Sequence, residues 1–527
     1  MKKFTADFET ATWLKDESFV WAWAVCEIGN EENIIIENNI DSFMKFLEKH
    51  SNTTFYFHNL KFDGEFIIYY LLTHGFKHIE KKSEADDKTF STLISDMGMF
   101  YQITIYFKKR KKVKIIDSLK IIPFSVKEIA KAFDIPESKL ELDYDTPRSK
   151  NHTLTQHEKD YIKNDVVIVA KALNVIFSEG LKKMTQGSNA LFDYKEILTK
   201  RRFEHYFPQI PPDVDEDIRQ AYKGGFTYLN PLYKDKEVKK GYVIDVNSLY
   251  PYCMTAYKLP YGEPIFFEGK YKEDKVYDLY IQAICVRFKL KKGKIPTIQV
   301  KNDRFNFKPT EYLETSGDKD VVLFLTNIDL ALFLENYDII YIEYMSGWKF
   351  KSVKGLFTDY VEKWTQRKIE ASKEGNKGQR TLAKLMLNSL YGKFATSLKA
   401  QSKIPYLDND IVKYKLSDVE LKQGLYIPIG AFITSYARNL TIRTSMAIRE
   451  YSLKKYGVDM YIYSDTDSCH TILPKEDLKT ICDIDDFRLR CMENWIKFFE
   501  AVNSLGKKHI LKKWLQDLNI KNQIEDI

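Results

Sequence analysis

At 527 residues the chain exceeds what one hydrophobic core supports, so two or more domains are expected. Its 44% hydrophobic and 29% charged residues are the balance of an ordinary globular protein, and the net charge of +7 is only mildly basic. No apolar stretch is long enough to span a bilayer, and the six scattered cysteines form no CxxC pair, which argues against a membrane anchor and a structural zinc site.

The first third alternates strands and helices. Residues 3–9 and 19–28 read as strands, 40–48 as an amphipathic helix, 53–57 as a short strand and 66–73 as a helix. Met1-Lys2-Lys3 runs straight into the first strand, so no signal peptide is expected and a reducing intracellular compartment is the default. Residues 101–107 and 113–116 flank a basic run (Lys108, Lys109, Arg110, Lys111, Lys112, Lys114) as a hairpin would. A long helix is expected over 155–178, opened by Thr155 with Glu158 three residues on, the spacing of a capping box. A Pro- and Asp-rich stretch at 206–215 marks a boundary. Beyond it come a strand at 243–246, mixed strands and loops to about 350, and a helical segment over 359–394 interrupted near Gly375 and Gly378. A β-rich stretch at 404–426, a helix over 431–456, a strand pair at 461–472 and a charged helical tail over 485–527 complete the chain.

Asp7-Phe8-Glu9 sets two acids at i and i+2 on a strand, so both carboxylates project from one face while Phe8 points into the core. Two carboxylates on one face are costly unless a cation sits between them, and a hard divalent cation suits oxygen ligands. In His58-Asn59-Leu60-Lys61-Phe62-Asp63-Gly64 a strand ends and a polar loop delivers Asp63 to the next helix. In Tyr161-Ile162-Lys163-Asn164-Asp165 the phenol and the carboxylate share a helix face. Each string alone reads as an ordinary strand end or helix surface. All three in this order suit two-metal phosphodiester hydrolysis, in which cations about 4 Å apart orient a water and neutralise the leaving oxyanion.

A second set lies downstream. Asp245-Val246-Asn247-Ser248-Leu249-Tyr250-Pro251 follows an apolar strand, and an acid there with a turn of free amides can hold a metal and a triphosphate together. Tyr250 falls where a ribose would lie, with bulk to disfavour a 2′-hydroxyl. Ser464-Asp465-Thr466-Asp467-Ser468 supplies two further acids at i and i+2. Between them, Lys384, Asn388 and Tyr391 fall on one helical stripe, suited to neutralising triphosphate charge and offering a ring to a base pair. Aromatic residues reach 14%, and those not spent on cores can stack on unpaired bases. The basic run and a second group at Lys507, Lys508, Lys512 and Lys513 read first as solvated faces, second as phosphate contacts.

The first set resembles the 3′–5′ exonuclease domain of DnaQ-like proofreading nucleases, with Asp7, Glu9, Asp63 and Asp165 as metal ligands and Tyr161 orienting the attacking water. The His58–Gly64 wording resembles more closely the family B polymerases that initiate on a protein primer. That resemblance implies single-strand contacts from His58, Asn59, Phe62, Ser118 and Leu119, and a catalytic role for Lys139, which precedes Asp143-Tyr144. The second set resembles motifs A, B and C of the same family. Asp245 and Asp467 would hold metal with Asp465 assisting; Tyr250, Lys368, Lys384, Asn388 and Tyr391 would serve the nucleotide. Tyr222, Gly224 and Gly225 match a YxGG linker that contacts template.

The resemblance is closest to protein-primed polymerases of small tailed bacteriophages. It implies an α/β and α+β multidomain fold: an RNase H-like exonuclease domain, then a polymerase palm and fingers with two insertions. The segments expected are an exonuclease domain (1–190), linker and first palm piece (191–260), first insertion (261–357), fingers (358–397), second insertion (398–427), palm (428–484) and a divergent helical tail in place of a thumb (485–527). In the family the first insertion docks the terminal protein, and the two insertions encircle DNA. The implied partners are primer-template and single-stranded DNA, dNTPs and a terminal protein; the implied cofactor is Mg²⁺, two per active site, with Mn²⁺ able to substitute. A monomer without membrane association, in the cytoplasm of a bacterial host, completes the expectation. One departure stands out: no Lys-x-Tyr primer-gripping triplet follows Asp467. It leaves open an exonuclease with impaired polymerisation as the alternative, and more remotely a DNA- or terminal-protein-binding module.

Overall fold

The computed structural model describes residues 2–14, 17–109, 111–246, 248–299, 312–481 and, for the backbone, 487–495. The chain groups into two compact units, one of residues 1–197, 362–390 and 397–423, the other of residues 198–361, 391–396 and 424–527. The expected fingers and second insertion thus group mostly with the first sheet rather than with the palm strands. Among the described residues no helix is long and apolar enough to cross a membrane.

The first unit is built on an eight-stranded sheet of β1 (Lys3–Thr10), β2 (Val20–Glu27), β3 (Asn30–Glu37), β4 (Thr54–Phe57), β5 (Lys77–His78), β6 (Thr89–Ile94), β7 (Phe100–Lys108) and β8 (Lys111–Asp117), in the order β3-β2-β1-β4-β8-β7-β6-β5. β1 pairs antiparallel with β2 and parallel with β4, and β4 runs parallel to β8. One face is sealed by α1 (Ile40–Lys49) and α2 (Leu60–Thr73), whose buried Phe43, Leu47, Ile67 and Leu71 meet Phe4, Phe8, Phe55 and Phe57. Against the other lies α4 (Gln156–Ser178), preceded in the chain by α3 (Val126–Phe133). There Thr5 Oγ donates to the Val166 carbonyl at 2.8 Å and ties helix to strand.

One expectation needs correction here. The polar segment before Asp63 is not a loop: Asn59 adopts a left-handed conformation (φ 72°) and α2 starts at Leu60, so Asp63 lies in its first turn. Gly64 packs closely on β7, since a Cβ there would sit 3.2 Å from the Phe100 ring and push it by a few tenths of an ångström.

The start of α4 matches expectation. Thr155 and Glu158 form a capping box, and Glu158 also accepts from the buried Arg148 guanidinium and, at 2.8 Å, from His152. Arg148 in turn lies 4.8 Å over the Trp21 ring. Burial alone pushes the Glu158 carboxyl up, but bonds from Arg148, the Thr155 N–H and His152 outweigh it and hold it at about 2. A carboxyl depressed in this way adds stability above its unfolded value near 4.3, and that stability is lost as pH falls toward 2. Glu158→Gln is therefore expected to cost about 3 kcal/mol at pH 7, by stranding Arg148, and to flatten the acid limb between about pH 4.5 and 2. Denaturant midpoints at pH 7 and pH 3 check both; an unchanged pH dependence would refute the assignment.

The second unit holds a five-stranded antiparallel sheet of β9 (Thr227–Leu229), β10 (Val238–Val246), β11 (Tyr461–Asp465), β12 (Ser468–Thr471) and β13 (Phe487–Trp495), ordered β13-β10-β12-β11-β9. A second sheet joins strands Lys258–Glu268, Tyr337–Lys354, Leu279–Leu290 and Val321–Thr326. The helix Ile427–Tyr456 is buried along most of its length, through Phe432, Ala437, Ile442 and Met446. β13 overturns the helical reading of the tail's first residues: its backbone pairs with β10 from Val238↔Trp495 to Val246↔Phe487. Phe487, Leu489 and Cys491 alternate with Arg488 and Arg490, a period of two, and pairing satisfies the β10 backbone groups that an edge would leave open. The remainder of the expected tail, 496–527, with Lys507, Lys508, Lys512 and Lys513, lies outside the described residues.

Candidate active sites

The first acid cluster assembles as expected. β1 delivers Asp7 and Glu9, the first turn of α2 delivers Asp63, and α4 delivers Asp165 with Tyr161 one turn earlier. Glu9, Asp63 and Asp165 are buried. Burial, and then the charge of Asp165, push the Asp7 carboxyl up to about 7; Lys139 and the Phe8 N–H oppose the rise. Burial and Asp7's charge likewise raise Glu9 and Asp63 well above the usual carboxylate range. Lys139 offsets part of this, donating to Asp165 Oδ2 at 2.9 Å. A cavity of about 110 Å³ opens beside the cluster, lined by Asp7, His58, Lys139 and Asp165.

These residues fit a hard cation. Asp63 Oδ1 and Asp165 Oδ1 are buried with no hydrogen-bond partner, and the acids repel one another. Among the described residues, no three acidic, His or Cys side chains are drawn closely enough around one point to enclose an ion as they stand. A bound divalent ion would supply the charge that pulls the orphaned oxygens inward.

Around this cluster the implied DNA contacts separate into two kinds. Asn59 is exposed and Phe62 is 50% exposed, leaving a ring face for a base. His58 and Ser118 turn inward instead. The His58 Nε2 lies 2.7 Å from the Phe124 carbonyl and Nδ1 lies 3.0 Å from Ser118 Oγ, which is itself fully buried against the Phe57 carbonyl. Asp117 completes the lock: its Oδ1 accepts from the backbone N–H of Asn59 and of the half-buried Leu119 at 3.1 and 3.0 Å. Tyr144 Oη meets Tyr161 Oη at 2.6 Å, so the phenol enters the site with a fixed neighbour.

In the second unit, Asp245 ends β10, and Asp465 and Asp467 flank the turn from β11 to β12, with Asp245 and Asp465 both in register with Ser468. Val246 N–H donates to the Asp467 carbonyl at 2.8 Å, pinning that turn to the end of β10. Asp465 Oδ1 accepts from Thr227 Oγ and Thr466 Oγ at 3.1 and 3.2 Å. Tyr250 and Tyr391 stack with centroids 4.0 Å apart. The stripe expected of Lys384, Asn388 and Tyr391 breaks: helix Lys377–Ser389 ends before Tyr391, which opens a separate short helix. Lys384 and Asn388 are exposed, while Leu382, Ala383, Met386 and Leu387 are buried. Burial, then the charges of Arg380 and Lys384, lower the Lys368 ammonium, so three cations gather in the first unit.

Two features escaped the sequence reading. Arg438, nearly buried, donates to the Lys223 and Gly224 carbonyls at 2.8 and 2.9 Å and pairs with Asp329, clamping the Tyr222–Gly225 loop. Gly225 packs so closely that a Cβ would meet Thr466 Oγ at 2.7 Å, so the expected linker glycine abuts the turn between the two acids. The local sequence around Arg438 carries no motif signal that the reading used; only long-range packing reveals its role.

A family model described as DNA polymerase type B, organellar and viral, matches residues 45–159 and 145–483. The chain belongs to this family of type B DNA polymerases, whose members are metal-dependent. It is 47% identical over 474 residues to the DNA polymerase of Bacillus phage Nf, covering 89% of this chain and 80% of that one. With the DNA polymerase of Bacillus phage phi29 the identity is 45% over 474 residues, covering 89% and 79%. The fold matches phi29 DNA polymerase complexed with primer-template DNA at a TM-score of 0.85 and 42% identity, over 94% of this chain and 85% of that one. The expected resemblance and multidomain fold are both borne out.

Proposed function

We propose that the chain copies DNA by adding deoxynucleotides to a primer 3′ end, edits that end with a 3′–5′ exonuclease, and starts from a terminal protein. The observation that carries this reading is the pair of separate acid sets, one on each unit: Asp7, Glu9, Asp63 and Asp165 on a strand and two helices, and Asp245, Asp465 and Asp467 at paired strand ends. Relatives named DNA polymerase support the polymerising reading over the nuclease-only alternative. A solved relative holding primer-template DNA and incoming nucleotides supports the DNA and dNTP partners.

In the nuclease, Asp7, Glu9, Asp63 and Asp165 would hold two Mg²⁺ ions, for which Mn²⁺ could substitute. Lys139 limits the negative charge left on Asp165, and Tyr161, braced by Tyr144, orients water toward the terminal phosphodiester. Asn59 and Phe62 grip the unpaired end, while His58 and Ser118 shape the wall behind them. In the polymerase, Asp245 and Asp467 would hold metal with Asp465 assisting, and a bound divalent ion would supply charge stabilisation for phosphoryl transfer. Tyr250 rejects a 2′-hydroxyl and Tyr391 packs on the nascent pair. Lys368, Lys384 and Asn388, joined by Arg380, serve the triphosphate. Tyr222, Gly224 and Gly225 contact template. The seven functional segments follow the sequence-based division, with the first insertion receiving the terminal protein. The protein acts as a monomer in a host cytoplasm.

A labelled primer-template with Mg²⁺ tests this: extension with dNTPs, shortening without them, and loss of both on chelation are expected. Shortening alone would favour the nuclease-only alternative, and no change in length with Mg²⁺ or Mn²⁺ would overturn the reading. Label transfer from a dNTP to the cognate terminal protein tests the protein-primed start.

A further inference from the structure

The hairpin of strands Lys403–Asp408 and Ile411–Leu416 lies in the chain far from the first acid cluster, yet folds onto the helix that carries Asp63. Tyr414 is its anchor. Its hydroxyl donates to Glu65 Oε2 at 2.7 Å and its ring meets Phe100 edge-on at 6.4 Å. Val412 and Tyr414 join the aromatic core beneath α2, and the hairpin base is held by a Ser95↔Ser402 bridge and by Asp96 N–H donating to the Gln401 carbonyl at 3.0 Å.

Helix geometry gives this contact its meaning. Glu65 is two residues beyond Asp63, about 200° around the axis, so α2 meets the acid cluster on one side and the hairpin on the other. The Asp63 side is fixed by burial in the cluster. The exposed start of α2, with Asn59 and Phe62, is held through the Asn59 N–H donating to Asp117 Oδ1, while the Asn59 side chain makes no capping bond. The half-exposed Phe62 ring meets Phe66 edge-on at 5.8 Å, and Phe66 is itself partly buried against the core.

We propose that Tyr414, through Glu65, is a positioning residue for single-stranded DNA: the hairpin braces α2 from behind and holds Asn59 and Phe62 where an unpaired 3′ end is gripped. The proposal deepens the nuclease reading and rests on it. Loss of this part-buried hydrogen bond loosens the exposed start of α2 at Asn59 and Phe62, while burial in the cluster holds Asp63, so the effect falls on binding rather than on turnover.

The test compares Tyr414→Phe, Glu65→Leu, their double variant and Glu65→Gln. Tyr414→Phe and Glu65→Leu are expected to raise the KM for a single-stranded oligonucleotide about three- to tenfold with kcat within twofold. Their double variant loses no more than either single. Glu65→Gln keeps an oxygen to accept from Tyr414 and behaves as wild type, and primer extension is unchanged in all four. Oligonucleotide affinity measured in chelator weakens by the same factor, a readout that stands even if the wild-type protein degrades no DNA and the nuclease reading itself falls. Unaltered affinity in Tyr414→Phe, or equal losses in affinity and in extension, would overturn the proposal.

Discussion

Asp467→Ala is expected to abolish primer extension while 3′–5′ degradation of single-stranded DNA continues at the wild-type rate. Asp467 sits at an exposed turn pinned to β10 by its backbone carbonyl, which accepts from the Val246 N–H, and alanine keeps that bond. What it removes is one of two carboxylates that could fix a cation beside the end of β10. Asp465 is a poor substitute, because Thr227 and Thr466 both hold its Oδ1. Removing one preorganised source of charge stabilisation typically lowers turnover roughly 10²–10³-fold, and a metal ligand falls at or beyond that range. Extension and degradation rates, measured on the same preparation with the thermal midpoint as control, check the separation. Extension within about tenfold of wild type would remove Asp467 from the metal-binding set.

The acids were legible in the sequence because metal chemistry leaves a local imprint: two carboxylates at i and i+2 on a strand, or a phenol and carboxylate one helical turn apart, satisfy no ordinary packing need. The residues that brace those acids leave no such imprint. Arg438 reads as one more polar residue on a long helix until the fold brings the Lys223 and Gly224 carbonyls to it. His58 was legible as part of a motif, but its direction was not, because Phe124 lies 66 residues away. The tail strand was obscured by a competing period: aromatic and leucine spacing downstream suggested a helix, and the alternation over 487–491 was too short to outweigh it. The grouping of 397–423 with the first unit could not be read locally at all, since it rests on contacts with residues far earlier in the chain, among them the Ser95↔Ser402 bridge and the hydrogen bond from Tyr414 to Glu65, 349 positions away.

Asp7→Asn is expected to eliminate the nuclease and, without metal, to make the protein more stable. The first outcome follows from the loss of a ligand and is expected at roughly 10²-fold or more. The second follows from what the cluster costs when no cation is bound. Asp7 is held up to about 7 by burial and by Asp165, and Glu9 and Asp63 are raised by burial and by Asp7. A carboxyl raised in this way contributes stability at pH below its unfolded value near 3.9, and that contribution is lost as pH rises through about 7. At pH 8 in chelator the wild-type fold therefore carries mutually repelling buried charges, and the neutral amide relieves a share on the order of 1–3 kcal/mol. Thermal midpoints should rise in Asp7→Asn under those conditions, and the two proteins should converge toward pH 4. Adding Mg²⁺ reverses the order, because an ion that binds only the folded wild-type site stabilises it by mass action, while the variant has lost a ligand. A variant less stable than wild type in chelator at pH 8 would mean that Lys139 and the Phe8 N–H, rather than a divalent ion, already balance the cluster.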